Sequence, residues 1–251
     1  MKRLKLIALA ILMTLTPFLL QSCLDDNEPE YPWLAISTIR TLENIDNGYY
    51  FGLDDGSKLY PGDTTLIHNY QVTEGQRAFV YYNLLDEPKA GFDYNIKVGQ
   101  IINILTKDII DLTAENAERI GDDKINVTRY WIAQGYLNIE FQYLGTHSSN
   151  KKHFLNLVQN TTTTENDEEG YISLEFRHNA EGDALERIGE GYVSFKLDKI
   201  EEELETAKGL KVRVNTIYDG EKFIKIELKK STDKNSNPRK LSTNKMLNEV
   251  Y

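Results

Sequence analysis

The feature that most constrains this chain is a recurring two-residue alternation of apolar and polar side chains. Ile172, Leu174 and Phe176 share one face of an extended segment, while Ser173, Glu175 and Arg177 take the other. Val193, Phe195 and Leu197 repeat the pattern, as do Leu210, Val212 and Val214, and again Ile224, Ile226 and Leu228. Successive side chains of a strand point to opposite faces, so each such segment offers one apolar face to a core. A helix needs apolar residues three and four apart, and only 113–118 is comfortable as a helix, with Thr113 as its N-cap. The chain is therefore expected to be all-β.

The strands fall into two blocks. The first has candidates at 34–39, 49–53, 57–60, 77–84 and 94–105, with Asp54-Asp55-Gly56 as a hairpin turn between the second and third. Ala78, Val80, Tyr82 and Leu84 alternate with Phe79, Tyr81 and Asn83, as a half-buried strand requires. Five short strands with tight turns predict a small OB-like barrel over 33–118. The second block has candidates at 125–133, 136–144, 153–158, 171–177, 192–197, 210–218 and 223–229, the last two joined at Asp219-Gly220. This spacing predicts an antiparallel, immunoglobulin-like β-sandwich over 124–230, although the cysteine pair of true immunoglobulin domains is missing. Residues 108–123 read as the junction, and the polar segment 231–251, which lacks alternation, as a flexible tail.

The only cysteine, Cys23, ends a basic start (Lys2, Arg3, Lys5) and an apolar run over 6–20. The run is shorter than the roughly 20 apolar residues of a membrane-spanning helix, and Pro17 interrupts it. The arrangement resembles a bacterial lipoprotein signal peptide over 1–22. That resemblance implies cleavage before Cys23, lipid attachment at Cys23, and a membrane as partner through the lipid. Pro29 and Pro32 make 23–32 a tether.

Loss of 1–22 removes three basic residues and no acid, leaving 26 against 39 and a formal charge of −13. Such a charge repels phosphate backbones, so no nucleic-acid partner is expected. With its one thiol acylated, the mature chain has no disulfide, thiol nucleophile or thiolate metal site. No nucleotide-binding, nucleophile-elbow or zinc-hydrolase motif occurs, so neither a cofactor nor a catalytic residue is assigned. His147 and His153 with a carboxylate could ligate a metal, but loop histidines are the plainer reading and no metal site is expected. Arg177, His178 and Asn179 could line a pocket at the sandwich rim, or could fix a loop through Glu181 or Asp183. The acidic pairs Asp54/Asp55 and Asp122/Asp123 read as turn residues. Tyr49, Tyr50, Tyr60, Phe79 and Tyr81 gather on the first block, where such rings either support the sheet or stack on bases or sugars. Tyr49, Tyr50, Tyr60, Arg177 and His178 are therefore the candidate ligand contacts, for an unidentified protein or glycan partner.

Several stretches together resemble one family. They include Tyr50-Phe51-Gly52-Leu53-Asp54-Asp55-Gly56, Gly75-Gln76-Arg77-Ala78-Phe79-Val80-Tyr81-Tyr82 and Ile104-Leu105-Thr106-Lys107-Asp108-Ile109. Lys152-His153-Phe154-Leu155-Asn156-Leu157-Val158 and Leu174-Glu175-Phe176-Arg177-His178-Asn179-Ala180 extend the likeness. They resemble the NigD-like lipoproteins of Bacteroidetes, from Cys23 to about Lys229. The resemblance implies an N-terminal OB domain, a C-terminal β-sandwich, and a loose link to bacteriocin immunity or envelope defence. Asp25, Asp26 and Glu28 behind the cysteine look like that phylum's surface-export signal, and Asp63-Thr64-Thr65 resembles its O-glycosylation signal, with Thr64 as acceptor. The expectation is a non-catalytic binding or structural lipoprotein of the bacterial outer membrane, displayed at the cell surface. A periplasmic orientation, an immunity role and an envelope hydrolase are the alternatives.

Overall fold

The apolar residues of the first block converge on one another. Ile39, Phe51, Leu53, Leu59, Ala78, Val80, Tyr82, Ile96 and Val98 form a single buried cluster. A computed structural model describes residues 31–43, 48–160 and 170–228 of the chain. The signal peptide, Cys23 and the tail expected from 231 lie outside them.

Five strands enclose the cluster: β1 (Trp33–Thr41), β2 (Tyr49–Leu53), β3 (Lys58–Asp63), β4 (Arg77–Leu84) and β5 (Tyr94–Asn103). They close in the order β1-β2-β3-β5-β4, with β4 returning to β1. Every pairing is antiparallel except β3 with β5. This is the five-stranded OB barrel. Ala78, Val80 and Tyr82 point inward as expected, but Leu84, at the strand's end, is exposed.

The second core is larger, and two sheets sandwich it. Strands β6 (Leu105–Asp108), β7 (Ile110–Leu112), β8 (Ile125–Ala133), β9 (Tyr136–Gly145), β10 (Phe154–Asn160), β11 (Tyr171–Asn179), β12 (Arg187–Lys196), β13 (Gly209–Thr216) and β14 (Gly220–Glu227) build it. One sheet runs β14-β13-β11-β10-β7 and the other β6-β12-β9-β8. The alternation of β11, β12 and β13 becomes burial of Ile172, Leu174, Phe176, Val193, Phe195, Leu210, Val212 and Val214 between them.

Residues 105–112, read as the end of the barrel and the junction, instead supply one edge strand to each sheet. The extended chain leaves the first sheet after Asp108, buries Ile109 in the core and enters the second at Ile110. It crosses without reversing, and β6 lies parallel to β12 and β7 parallel to β10. β11 and β13 are also parallel, since β12 between them in sequence belongs to the other sheet. Among the described residues the sandwich thus contains three parallel pairings where all-antiparallel ones were expected. The expected helix at 113–118 forms later, at Ala117–Ile120. The Thr113 N–H donates to Asn116 Oδ1 at 2.8 Å instead of Thr113 capping the helix, and buried Ile120 packs with Leu112 and Val158.

Candidate functional site

On the barrel, β2 and β3 bring Tyr50 and Tyr60 to the same patch, joined by Phe92 from the loop between β4 and β5. The ring centroid of Phe92 lies 5.6 Å from that of Tyr50 and 5.0 Å from that of Tyr60, with interplanar angles of 62° and 45°. All three rings are half-buried. Lys58 Nζ sits 5.7 Å from the Tyr50 centroid, and Lys89 Nζ sits 4.6 Å from that of Tyr60. Strands 2 and 3, with the loop between strands 4 and 5, form the surface on which OB folds hold oligomeric ligands. Phe92 was not among the sequence candidates. The signal for it was an aromatic residue after Gly91 in a turn otherwise built from Glu87, Pro88 and Lys89.

Tyr49 belongs elsewhere. Its ring meets Phe51 edge-on at 5.4 Å and Tyr70 at 6.3 Å, against the barrel core, and burial raises its hydroxyl pKa. Thr64 is half-buried in the turn after β3, where its carbonyl accepts from the Ile67 N–H at 2.9 Å. Asp63 accepts from both the backbone and the hydroxyl of Thr65, which holds the Asp63 carboxyl below its ordinary pKa.

The sandwich candidates separate onto opposite faces of β11. Arg177 joins an outer ion-pair lattice with Glu175, Asp122 and Arg213. Asp122 accepts from both Arg213 terminal nitrogens, at 2.9 and 2.8 Å. Those bonds outweigh desolvation and push the Arg213 guanidinium above its ordinary value. Asp122, read as a turn residue, is thus a node of this lattice.

His178 faces inward and is 2% exposed. Its Nδ1 lies 3.1 Å from the Lys124 carbonyl and its Nε2 2.8 Å from His153 Nδ1, and His153 Nε2 lies 3.2 Å from Asp183 Oδ2. The two imidazoles stack at 16°, beside Tyr143. Burial, then the nearby His153, lower the His178 pKa to about 4, against a smaller opposing pull from the Lys124 carbonyl and Asp123. Burial works against ionising Asp183, yet hydrogen bonds from Thr146, His153 and Ala184 outweigh it and hold that carboxyl well below the usual range. Asp183 therefore does fix a loop, with His153 as its partner. His147 packs on the Tyr143 ring, at 5.6 Å, and its Nε2 lies against Gly189. Among the described residues no three His, Cys, Asp or Glu are placed to hold a metal ion.

Between the barrel and the sandwich lies a polar junction that the turn reading of Asp54 missed. Arg77 is fully buried on β4, and both its terminal nitrogens bind Asp54, at 2.7 and 3.0 Å. Trp131 Nε1 of the sandwich donates to the same carboxylate at 2.7 Å, and Arg77 lies 5.4 Å from the Tyr136 ring. The Tyr136 hydroxyl donates to the Gly75 carbonyl, and Gln134 to the Leu53 carbonyl.

Fold and site together define a two-domain, all-β protein of OB barrel followed by β-sandwich. Residues 36–104 match the NigD-like N-terminal OB domain, and 108–228 the NigD-like C-terminal β-sandwich domain. The chain belongs to the NigD-like family. A crystal structure of a protein of unknown function from Bacteroides vulgatus ATCC 8482 is similar, at 32% identity and TM-score 0.67, over 78% of this chain and 90% of that one. A toxin-related protein from Parabacteroides distasonis ATCC 8503 is 33% identical, with TM-score 0.60 over 78% and 92% of the two chains. A NigD-like immunity protein from Bacteroides caccae ATCC 43185, 19% identical over 78% and 92%, shares the fold at TM-score 0.57. A search of the curated proteins finds no match.

Proposed function

We propose that the protein is a lipid-anchored, non-catalytic binding protein of the outer membrane, displayed at the cell surface, with Tyr50, Tyr60 and Phe92 as its binding face. The observation that carries the binding role is the position of that patch. The sandwich meets the barrel through Asp54, Arg77 and Gly75, while the aromatic patch lies on the surface that OB folds use for ligands. The titratable groups at the sandwich rim do not favour catalysis: His178 is buried and bonded at both nitrogens, and the Asp183 carboxylate is taken up by Thr146, Ala184 and His153. The lipoprotein signal ending at Cys23 supports anchoring, and Asp25, Asp26 and Glu28 support surface display.

A photoreactive side chain at position 60, activated on intact cells, tests the binding role. Discrete adducts with an envelope component are expected, and their absence removes the reading. Mass spectrometry of the mature N-terminus tests the anchor, and an unmodified Cys23 would refute it. Protease shaving of whole cells separates surface from periplasmic display. The described immunity protein among similar structures favours a second reading, protection against one bacteriocin. Deleting the gene should then sensitise cells to the cognate toxin.

A further inference from the structure

We infer that the Tyr50–Phe92–Tyr60 patch, with Lys58 and Lys89, is a site for an acidic oligosaccharide, a chain of pyranose rings bearing carboxylates. The inference rests on the proposed binding role of the barrel and names its ligand class. Its basis is a selective absence of charge pairing. The segment 33–103 contains five cations: Arg40, Lys58, Arg77, Lys89 and Lys97. Arg40 pairs with Glu74, Arg77 with Asp54 and Lys97 with Asp63, at 3.0, 2.7 and 3.9 Å. Among the described residues Lys58 and Lys89 pair with no carboxylate, and both stand over rings of the aromatic patch. The nearby Asp93 carboxylate accepts from the Lys58 backbone N–H, at 2.8 Å, rather than from its ammonium. In a chain with a formal charge of −10, two unpaired cations on one ring cluster mark a place for an external anion.

The rings say what kind of anion. A base or a pyranose can stack on an aromatic face, and a cation beside the ring adds attraction for a negative substituent. The patch is faceted, its rings meeting at 62° and 45°, and so offers no flat platform for parallel bases. A sugar chain, whose successive rings turn relative to one another, follows such facets. Nucleic acid needs many phosphate contacts against the protein's own negative field, whereas two ammonium groups suit two sugar carboxylates.

The test is isothermal titration of the protein purified from its envelope in nonionic detergent. The acidic probes are oligomers of galacturonate, hyaluronan and polysialate. Maltohexaose is the neutral control and a ten-nucleotide oligothymidylate the phosphate control. At least one acidic sugar is expected to bind saturably and to weaken with salt. Lys58→Ala with Lys89→Ala should weaken it at least tenfold, Phe92→Ala should abolish it, and Lys97→Ala should leave it unchanged. Lys58 and Lys89 are exposed, so folding of the double variant is not at issue. Binding of the neutral sugar with equal strength overturns the acidic class, and binding of the oligothymidylate alone overturns the sugar. Failure of every acidic probe while the position-60 adducts persist overturns this inference and leaves the binding role standing. Loss of the adducts as well removes both.

Discussion

At the scale of single residues, hydrogen-bond geometry fixes protons. The Lys124 carbonyl can only accept, so His178 presents Nδ1–H to it and leaves Nε2 to accept from His153 Nδ1–H. Imidazole ¹⁵N shifts should show the Nδ1–H tautomer of His178; the opposite tautomer would break this account. Stability follows with a definite sign. The folded His178 pKa, about 4, lies below the ordinary 6.5, so between these values the unfolded chain takes up a proton that the folded one refuses. Its contribution is present above pH 6.5 and is lost as pH falls toward 4, about 3 kcal/mol in all. Urea denaturation at pH 7, 5.5 and 4.5 should therefore show a shallower pH dependence in His178→Gln than in wild type, and an unchanged slope would refute the assignment. The Arg77–Asp54 pair carries a second prediction. Asp54→Ala strands a fully buried guanidinium and should cost about 3–5 kcal/mol. Arg77→Met leaves the Asp54 side chain, 26% exposed, with Trp131 and water, so it should cost clearly less. Equal losses would show that the charge is not what makes the site demanding.

At the scale of elements, what the sequence discloses depends on whether a residue's role is local. β11, β12 and β13 were readable because Leu174, Phe195 and Val212 lie in alternating runs whose period alone gives their burial. β6 and β7 were not, since four and three residues are too short to show a period and their partners are 88 and 48 positions away. Lys107 is an example: its ammonium bridges to the Leu155 carbonyl and Asn156 on the other sheet, and burial lowers its pKa. Nothing in its neighbours announces that. The aromatic patch was half legible. Tyr50 and Tyr60 stood out on strands, whereas Phe92 enters only because the barrel folds its loop onto them. Tyr49 packs on the barrel core while Tyr50 joins the patch, because adjacent strand residues face opposite ways. Gly209 is another element-level requirement. A Cβ there would collide with the Ile226 carbonyl oxygen and come within 3.0 Å of Glu227 Cα, both backbone of β14. Gly209→Ala should therefore open the start of the β13–β14 pairing and cost about 1–3 kcal/mol. Faster amide exchange at Ile226 and Leu228, the β14 amides that face β13, would report the opening, and wild-type protection there would contradict it.

At the scale of the whole molecule, barrel and sandwich share no hydrogen-bonded strand among the described residues, and side chains couple them. The couplers come from both sides of the chain crossing at Ile104. Gln76 Nε2 of the barrel donates to the Ile104 carbonyl at 2.7 Å and to Thr106 Oγ1 at 3.1 Å, and Phe79 meets Tyr192 edge-on at 5.1 Å. Asp54 receives Trp131 and Arg77 together, so the one carboxylate that neutralises the barrel's buried cation also docks the sandwich. Such a shared polar node makes separation of the domains expensive, because parting them leaves Arg77, Trp131 and Tyr136 short of partners in the same event. Unfolding of the intact protein should consequently be one transition. The two tryptophans report on it from different places, Trp33 from β1 and Trp131 from the junction. Tryptophan fluorescence and far-ultraviolet circular dichroism should give coincident midpoints in urea. Combining Trp131→Phe with Tyr136→Phe removes two of the docking hydrogen bonds while keeping the Arg77–Asp54 pair inside the barrel. In that variant the barrel and the larger-cored sandwich should melt separately, with Trp33 fluorescence tracking the first of two transitions. If the double variant still unfolds in one step at the wild-type midpoint, the junction is only a contact and the two domains owe their cooperativity to the short strands that follow Ile104.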